Sequence, residues 1–368
     1  MSIISESTSV RTPVVDIHTH VYPPSYISLL KSRSSIPYVR ALPPNNDLRL
    51  VILPVEDNES TSRGRPIGPN YYDITKKISF MDTHHIDISV ISLANPWLDW
   101  LPPQEAGPVA QSINNEVDSI CAQHLGRLFF FATLPLSAPA TTVLAEIARL
   151  KSLPHVRGII LGTTGLGAGL DDPALLPIFH ALAAASLPIF LHPHYGLPSA
   201  VWGPRASDSG HVLPLALGFP LETTIAVTRM ILSDTFALVP DLKVILAHSG
   251  GALPFLAGRI ESCIEHDSHL QAEGKLGPGR KTIWEILRKN IYLDAVIYNE
   301  VGLRAAIQAS GADRIMFGTD HPFFPPLGGE IEWASVATNV AAVKGALGDG
   351  ETAATVMGGN AVKVLNLG

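Results

Sequence analysis

The chain has 368 residues, of which 46% are hydrophobic and 16% charged, and its formal net charge is −7 at pH 7. This acidic balance, without a basic tract, argues against nucleic acid or an acidic membrane surface as a partner and favours a small substrate. Because only two cysteines occur and the N-terminal segment lacks the apolar core of a signal peptide, we expect a soluble, cytoplasmic protein without a disulfide framework.

Strand-like and helix-like segments alternate along the chain. The strand-like segments, in chain order, are VVDIHTH (14–20), DISVISLA (87–94), RLFFFATLPL (127–136), VRGIILG (156–162), PIFLHPH (188–194), KVILAHSG (243–250), IYLDAV (291–296) and RIMFGTD (314–320). Apolar residues at helical spacing mark the segments between them, among them 109–125, 141–153, 173–186 and 222–239. Strands that are apolar on both faces are typical of a parallel sheet covered by helices. The pattern therefore predicts a single (β/α)₈ TIM-like barrel over residues 1–368.

Three segments depart from a bare barrel. Residues 21–70 are too long for an ordinary connection between the first strand and its helix, so we expect a small insertion that forms a lid over the barrel mouth. Residues 195–218, rich in Gly, Pro and Ser, predict a second long loop after the fifth strand. The C-terminal GNAVKVLNL (359–367) predicts a final helix that closes the bottom of the barrel.

Metal-ligand residue types stand at the ends of several predicted strands. Side chains alternate along a strand, so His18 and His20 point to the same face, where one ion can reach both. His192 and Asp320 would complete a set of three nitrogens and one oxygen, which suits zinc or a similar divalent ion. His248 stands at the end of the sixth strand, and chemistry in such barrels takes place where the carboxyl ends of the strands converge.

Five short motifs carry a resemblance to a known family. They are the HTH of the first strand, LHPH (191–194), AHSGGALPF (247–255), FGTDHPF (317–323) and a closing GNA (359–361). Together they resemble the amidohydrolase superfamily, in particular its decarboxylase branch typified by aminocarboxymuconate semialdehyde decarboxylase. The resemblance runs over essentially the whole chain after residue 13. It implies one metal ion held by His18, His20, His192 and Asp320, and it makes His248 a candidate acid/base or substrate-polarising group.

Three features near these ligands bear on the number of metal ions. The fourth strand (156–162) has no lysine that, once carboxylated, would bridge two metals, so a mononuclear site is favoured. Pro193 interrupts the strand before His194, which we expect beside the ligands rather than among them. Asp16 shares the face of His18 but lies deeper, and we expect it to support the ligands through hydrogen bonds.

The chemistry that the resemblance implies is decarboxylation, with hydrolysis by metal-bound hydroxide as the alternative. In a decarboxylase, Asp320 could serve both as a ligand and as the donor of a proton to the substrate carbon. Within this branch the chain is most similar to fungal isoorotate (5-carboxyuracil) decarboxylases and next to methylsalicylate-type decarboxylases. Both substrate classes place a carboxylate beside an oxygen on a flat ring.

The far end of the pocket would distinguish these two substrates. Asn95, after the second strand, can pair with a pyrimidine edge, and Arg65, in the insertion, can hold a carboxylate or carbonyl. Phe323 could stack on either ring. These residues favour the pyrimidine as the small-molecule partner. We also expect one zinc ion per chain and assembly into a homodimer or homotetramer.

Overall fold

The computed structural model describes residues 11–59, 63–277, 279–326 and 332–368. Its strands are β1 (Val15–Val21), β2 (Tyr38–Leu42), β3 (Asp47–Val51), β4 (Arg65–Ile67), β5 (Ile88–Leu93), β6 (Leu128–Ala132), β7 (Val156–Gly162), β8 (Ile189–His192), β9 (Val244–Leu246), β10 (Ile291–Asp294) and β11 (Ile315–Met316). Its α-helices are α1 (Pro24–Lys31), α2 (Ile74–Thr83), α3 (Pro103–Ala122), α4 (Ala140–Leu150), α5 (Leu176–Ala184), α6 (Phe219–Leu232), α7 (Thr235–Leu238), α8 (Leu253–His266), α9 (Ser268–Ala272), α10 (Ile283–Lys289), α11 (Glu300–Ser310), α12 (Ala334–Leu347), α13 (Glu351–Ala354) and α14 (Asn360–Leu365).

Eight strands form one sheet in the order β1-β5-β6-β7-β8-β9-β10-β11, and every adjacent pair is parallel. A parallel bridge between Thr19 and His321 brings β1 beside the chain that follows β11, so the sheet curls into a ring. Each of the eight predicted strands is present. The prediction of a (β/α)₈ barrel is confirmed.

The strands are buried on both faces because their side chains fill the barrel interior on one side and contact helices on the other. All six residues of β5 are buried, and Phe131 packs on Phe190 inside the ring at 5.2 Å between ring centroids. Helix α4 buries Val143, Ile147 and Leu150, which follow helical spacing. Burying each such side chain contributes about 1.5–3 kcal/mol before the cost of ordering the chain.

The segment 21–70 folds into a small unit of its own secondary structure. Helix α1 begins with a proline at its first position, and β2, β3 and β4 form an antiparallel sheet. Two tyrosines attach the unit to the barrel: Tyr22 Oη donates to the Asn95 carbonyl at 2.8 Å, and Tyr26 Oη donates to the Trp97 carbonyl at 2.6 Å. The insertion therefore sits against the loop that follows β5.

Several predicted strands are regular over less of their length than expected, and two of them, β9 and β11, precede residues of the candidate site. β11 covers only Ile315–Met316, because the amides of Thr319 and Asp320 both donate to the His18 carbonyl instead of continuing a ladder. β9 ends at Leu246, and His248 lies on a tight turn with φ 55°. Asp320 and His248 thus both lie on turns just beyond the ends of β11 and β9.

The predicted helix at 222–239 is interrupted, whereas the C-terminal helix is present. Asp234 adopts the left-handed conformation (φ 58°), which separates α6 from α7. At the C-terminus, Asn360 in α14 donates to the carbonyls of Ala312 and Ile315 at 2.8 and 2.7 Å. These bonds hold the last helix against the start of β11, at the bottom of the barrel.

One helical stretch among the described residues, Pro214–Leu232, is long and apolar enough to cross a membrane by length and composition alone. Its mean hydropathy is 1.4 and 39% of it is buried, and core helices of soluble proteins meet the same criterion. Glu222 on this stretch accepts hydrogen bonds from the backbone amides of His194 and Gly196. The helix is therefore tied to the loop that follows β8.

Candidate metal centre and active site

Four side chains of metal-ligand type meet at the carboxyl end of the barrel. His18 and His20 on β1, His192 at the end of β8 and Asp320 beyond β11 are buried, and their ligand atoms all lie within 4.8 Å of one another. The Nε2 atoms of His18 and His20 are 3.1 Å apart, as expected for alternate residues of one strand. Asp320 Oδ1 lies 3.3 Å from His18 Nε2 and 3.5 Å from His20 Nε2.

These spacings fit a single divalent ion. Ligand atoms bound at about 2.0–2.2 Å stand roughly 3.0–3.5 Å apart around one ion, whether its coordination is octahedral or tetrahedral. The three distances among His18, His20 and Asp320, which are 3.1, 3.3 and 3.5 Å, fall in this interval. Three imidazoles and one carboxylate form a donor set that zinc and related metals accept. The chain therefore contains a metal-binding site built from these four residues.

Hydrogen bonds on the outer ring nitrogens orient two of the imidazoles for ligation. His18 Nδ1 lies 2.5 Å from Asp294 Oδ2, and His192 Nδ1 lies 2.8 Å from the Pro193 carbonyl. Because these partners are acceptors, each Nδ1 carries a hydrogen, so in the neutral imidazole it is Nε2, facing the other ligands, that has the lone pair. Those lone pairs are available to a metal ion.

Asp294 is a functional residue that the sequence reasoning missed. It is fully buried at the end of β10, where Oδ2 also accepts from the amide of His248 at 3.0 Å. Its Oδ1 accepts from the amides of Ser249 and Val296 at 2.7 and 3.1 Å. One carboxylate thus holds both a ligand imidazole and the turn that carries His248. The available signal was its position at the end of the predicted strand IYLDAV (291–296).

The buried charges at the centre favour a cation. Burial acts to lower the pKa of His18, but the carboxylates of Asp320 and Asp294 outweigh it and raise that pKa to about 10. Burial lowers the pKa of His20 to about 4 and that of His192 well below its usual range. Burial alone would raise the pKa of Asp320, yet the adjacent histidines hold it well below its usual range. Asp320 is therefore a carboxylate, the form that binds a metal.

His248 lies beside the four ligands. Its Nε2 is 3.7 Å from Asp320 Oδ2, and its ring centroid lies 5.0 Å from that of His18 and 5.2 Å from that of His192. Within the described part of the chain, its Nδ1 is buried without a hydrogen-bond partner. His248 therefore stands next to Asp320, at the edge of the ligand cluster.

The three residues expected to contact substrate lie in different surroundings. Phe323 packs edge-on against His20 at 5.5 Å between ring centroids, so it stands next to the metal ligands. Asn95 is buried, and its Nδ2 donates to the His194 carbonyl at 2.7 Å. Arg65 pairs with Glu56 at 2.6 Å, and 31% of its side chain is exposed.

Two tyrosines lie near the residues of the candidate site. The ring of Tyr71 lies 5.5 Å from that of Phe323. Burial raises the pKa of Tyr71, and the charge of Arg65 opposes that rise, so the guanidinium lies near the phenol. Tyr298 interacts with Asp320, and burial together with this carboxylate raises the pKa of its phenol. Neither tyrosine belongs to a motif, and sequence reasoning passed over both.

Asp16 and His194 lie outside the ligand cluster. Asp16 accepts hydrogen bonds from the amides of His18 and Thr319 at 3.2 and 3.1 Å. His194 Nδ1 lies 2.9 Å from Thr164 Oγ1, and the ring stacks on Tyr195 at 3.8 Å between centroids. Both surround the centre without contributing to the set of four ligand atoms.

A family model described as Amidohydrolase matches residues 15–367 of the chain, which include the whole barrel and every ligand. The chain belongs to the amidohydrolase family. The resemblance found in its sequence motifs is thereby confirmed.

Individual relatives of this amidohydrolase are decarboxylases. The crystal structure of the IDCase of Metarhizium anisopliae superposes with a TM-score of 0.93 and 58% identity, over 96% of this chain and 97% of that one. The 2-amino-3-carboxymuconate-6-semialdehyde decarboxylase of Dictyostelium discoideum is 29% identical over 267 residues, 72% of this chain and 70% of the relative. A dihydroxybenzoic acid decarboxylase of Polaromonas, with bound manganese and the inhibitor 2-nitroresorcinol, shares the fold at a TM-score of 0.70 and 22% identity, with 97% of each chain covered. The chain is a carboxy-lyase.

Proposed function

We propose that this amidohydrolase removes the carboxylate of a planar ring acid without oxidation, and that isoorotate (5-carboxyuracil) is its substrate, yielding uracil and CO₂. The observation that carries the proposal is the Asp320 carboxylate, which contacts two ligand imidazoles and also lies 3.7 Å from His248 Nε2. A residue in that position can meet both the metal and the reacting carbon. The 58% identity to an enzyme abbreviated IDCase, which fits isoorotate decarboxylase, supports the choice of substrate.

His18, His20, His192 and Asp320 would hold one divalent ion, which we propose to be zinc. When bound, such an ion neutralises and orients the substrate carboxylate and the ring oxygen beside it. Asp294 keeps His18 in the tautomer that ligation needs. Because the Polaromonas relative binds manganese, manganese is the metal to compare with zinc.

The proton that replaces CO₂ has to reach the ring carbon. The carbon gains a proton, the bond to the carboxylate breaks, and its electron pair returns to the ring as CO₂ leaves. Asp320 is ionised in the structure, so it must take up a proton before it can deliver one. His248 Nε2 lies 3.7 Å from its carboxylate and is the proposed source of that proton. The Tyr298 phenol beside Asp320 keeps its own proton, because its pKa is raised. Positioned proton transfer of this kind accelerates a reaction by about 10²–10⁴-fold.

The ring would lie between the metal ligands and the wall that includes Phe323, Tyr71, Asn95 and Arg65. The Phe323 ring is oriented by its edge-on contact with His20. A flat substrate ring can then pack against Phe323. The Nδ2 of Asn95 is bonded to the His194 carbonyl, and its Oδ1 would accept from a ring N–H of the pyrimidine. Segment 21–70, which carries Arg65, would act as the lid over this pocket.

Carbon dioxide release tests the proposal directly. Purified enzyme, with its metal content measured, is given isoorotate and, separately, 5-methylsalicylate, and uracil or the phenol is quantified by chromatography. The proposal expects uracil from isoorotate, a higher kcat/KM for isoorotate than for methylsalicylate, and loss of turnover after treatment with a chelator. Turnover of methylsalicylate without turnover of isoorotate would transfer the assignment to the phenolic acid. Activity in metal-free protein would refute the role of the centre.

A further inference from the structure

The metal centre stands on a seam of the barrel, which we define as the contact between β1 and residues 315–321. Within the described ranges, the Thr19–His321 bridge is the one bridge across it, and no ladder joins β1 to β11. Single backbone bonds cross the seam instead, including those from the amides of Thr319 and Asp320 to the His18 carbonyl at 3.3 and 2.8 Å. Since His18 and Asp320 lie on opposite sides, the geometry of the ligand set depends on this seam.

A buried carboxylate joins the two sides just below the ligands. Asp16 is fully buried, and its Oδ1 accepts from the His18 amide on one side and from the Thr319 amide on the other, at 3.2 and 3.1 Å. Its Oδ2 accepts from Thr319 Oγ1 at 2.8 Å. Both carboxylate oxygens of Asp16 therefore face hydrogen-bond donors. An asparagine at this position would direct its NH₂ group at the donors of one of the two oxygens. A carboxylate is therefore the group that satisfies both sides.

Lys77 completes this arrangement from outside the barrel. It belongs to α2, its side chain is 1% exposed, and its Nζ lies 3.5 Å from Asp16 Oδ2. The same ammonium donates to Thr19 Oγ1, which in turn donates to the His321 carbonyl at 3.0 Å across the seam. A buried ammonium is costly unless it is paired, so Lys77 and Asp16 stabilise each other's charge. Helix α2 is thereby coupled to the turn that carries Asp320.

We propose that Asp16, Thr319 and Lys77 are positioning residues of the metal centre. They set the relative position of β1 and the turn after β11, so that Asp320 reaches ligand distance of His18 and His20. None of the three supplies one of the four ligand atoms. The inference rests on the metal centre of the proposed function and is independent of which ring acid is the substrate.

Metal affinity in three variants tests this role. Zn²⁺ binding to metal-free protein is measured by competition with a chelating dye, and amide hydrogen exchange is followed over residues 317–321. Asp16→Asn should weaken binding by about 10–100-fold, the range for partners that orient ligands. Thr319→Val, which keeps the shape of the side chain, should weaken it by about tenfold, at the lower end of that range. Lys77→Met should have a smaller effect than Asp16→Asn, because Asp16 keeps its other donors.

The matched control is Glu146→Gln, in another buried network of the same barrel. Glu146 is 1% exposed and accepts from Asn114 Nδ2 at 2.8 Å, and Asn114 in turn holds the backbone of Thr133 at the end of β6, where no ligand stands. This variant should lower the melting temperature while leaving the Zn²⁺ dissociation constant within twofold of wild type.

Two results separate positioning from simple stabilisation. The proposal holds if the seam variants lose affinity and exchange faster at 317–321 in the metal-free protein, whereas the control does neither. It is overturned if Asp16→Asn and Thr319→Val melt earlier but bind Zn²⁺ as tightly as wild type. Failure of the substrate assignment would leave these measurements unchanged, so the two hypotheses fail separately.

Discussion

Replacing Asp294 by asparagine is the sharpest test of how the centre is held. Asp294 Oδ2 accepts from both His18 Nδ1 and the amide of His248, while Oδ1 accepts from the amides of Ser249 and Val296. An asparagine has one acceptor oxygen, so its NH₂ group must face one of these pairs of donors. With the oxygen on the two amides, the NH₂ group would oppose His18 Nδ1. The imidazole would then move its hydrogen to Nε2 and lose the lone pair that binds the metal.

The expected loss follows from the role of such partners. Removing a group that orients a ligand costs about 10–100-fold in metal affinity, which corresponds to roughly 1.4–2.7 kcal/mol. The assay is Zn²⁺ competition with a chelating dye, together with metal analysis after dialysis. Asp87→Asn is the control, since Asp87 accepts from the Val14 amide at 2.7 Å at the opposite end of the barrel. Unchanged affinity in Asp294→Asn would refute the tautomer argument, and equal losses in both variants would show a general effect of stability.

Three more outcomes are expected. Asp320→Asn should keep part of the metal, because the amide oxygen still coordinates. Its kcat should fall by about 10²–10⁴-fold. Near-normal turnover of the metal-loaded variant would exclude proton transfer by Asp320. Asn95→Ala should cost about 1–3 kcal/mol in kcat/KM for isoorotate and little for methylsalicylate. Equal losses for both acids would instead be explained by loss of the hydrogen bond from Asn95 to the His194 carbonyl. Burial raises the pKa of Asp99 in the folded protein to about 7, above its value in the unfolded chain. Proton binding to Asp99 therefore stabilises the fold fully below about pH 4, and this stabilisation is lost as the pH rises through 7. Between about pH 5 and about pH 8, the free energy of unfolding of wild type should therefore fall by about 1–3 kcal/mol more than that of Asp99→Asn in denaturant titrations, and parallel pH profiles would contradict this.

The ligand set could be predicted because each member has a local signature. The HxH pair follows the two-residue period of a strand, and His192 and Asp320 stand at or just after the ends of apolar segments. In a parallel barrel such ends converge at one rim, so local patterns are enough to assemble a site from distant parts of the chain. The same logic explains why the number and order of strands could be predicted.

Other features depend on contacts that no local pattern encodes. Asp294 can bind the turn after β9 only once β10 lies beside that turn. In the sequence alone, a single aspartate near the end of a strand is no different from an ordinary polar strand end. The left-handed conformations of His248 and Asp320 depend on bonds across the barrel, so the predicted strands were too long there. The short strands of the insertion are half exposed, which weakens the alternation that would have revealed them.

The bond from Thr19 to His321 spans 302 positions of the sequence, and His18 and Asp320 are equally far apart. At roughly 5–20 residues per second, a ribosome needs about 15–60 s to make the chain between the first ligand and the last. Until then the nascent polypeptide offers at most three imidazoles, without the carboxylate that completes the set. High-affinity capture of the ion is therefore a late event in biosynthesis, and a product that terminates before residue 320 retains the HxH pair but not the complete centre.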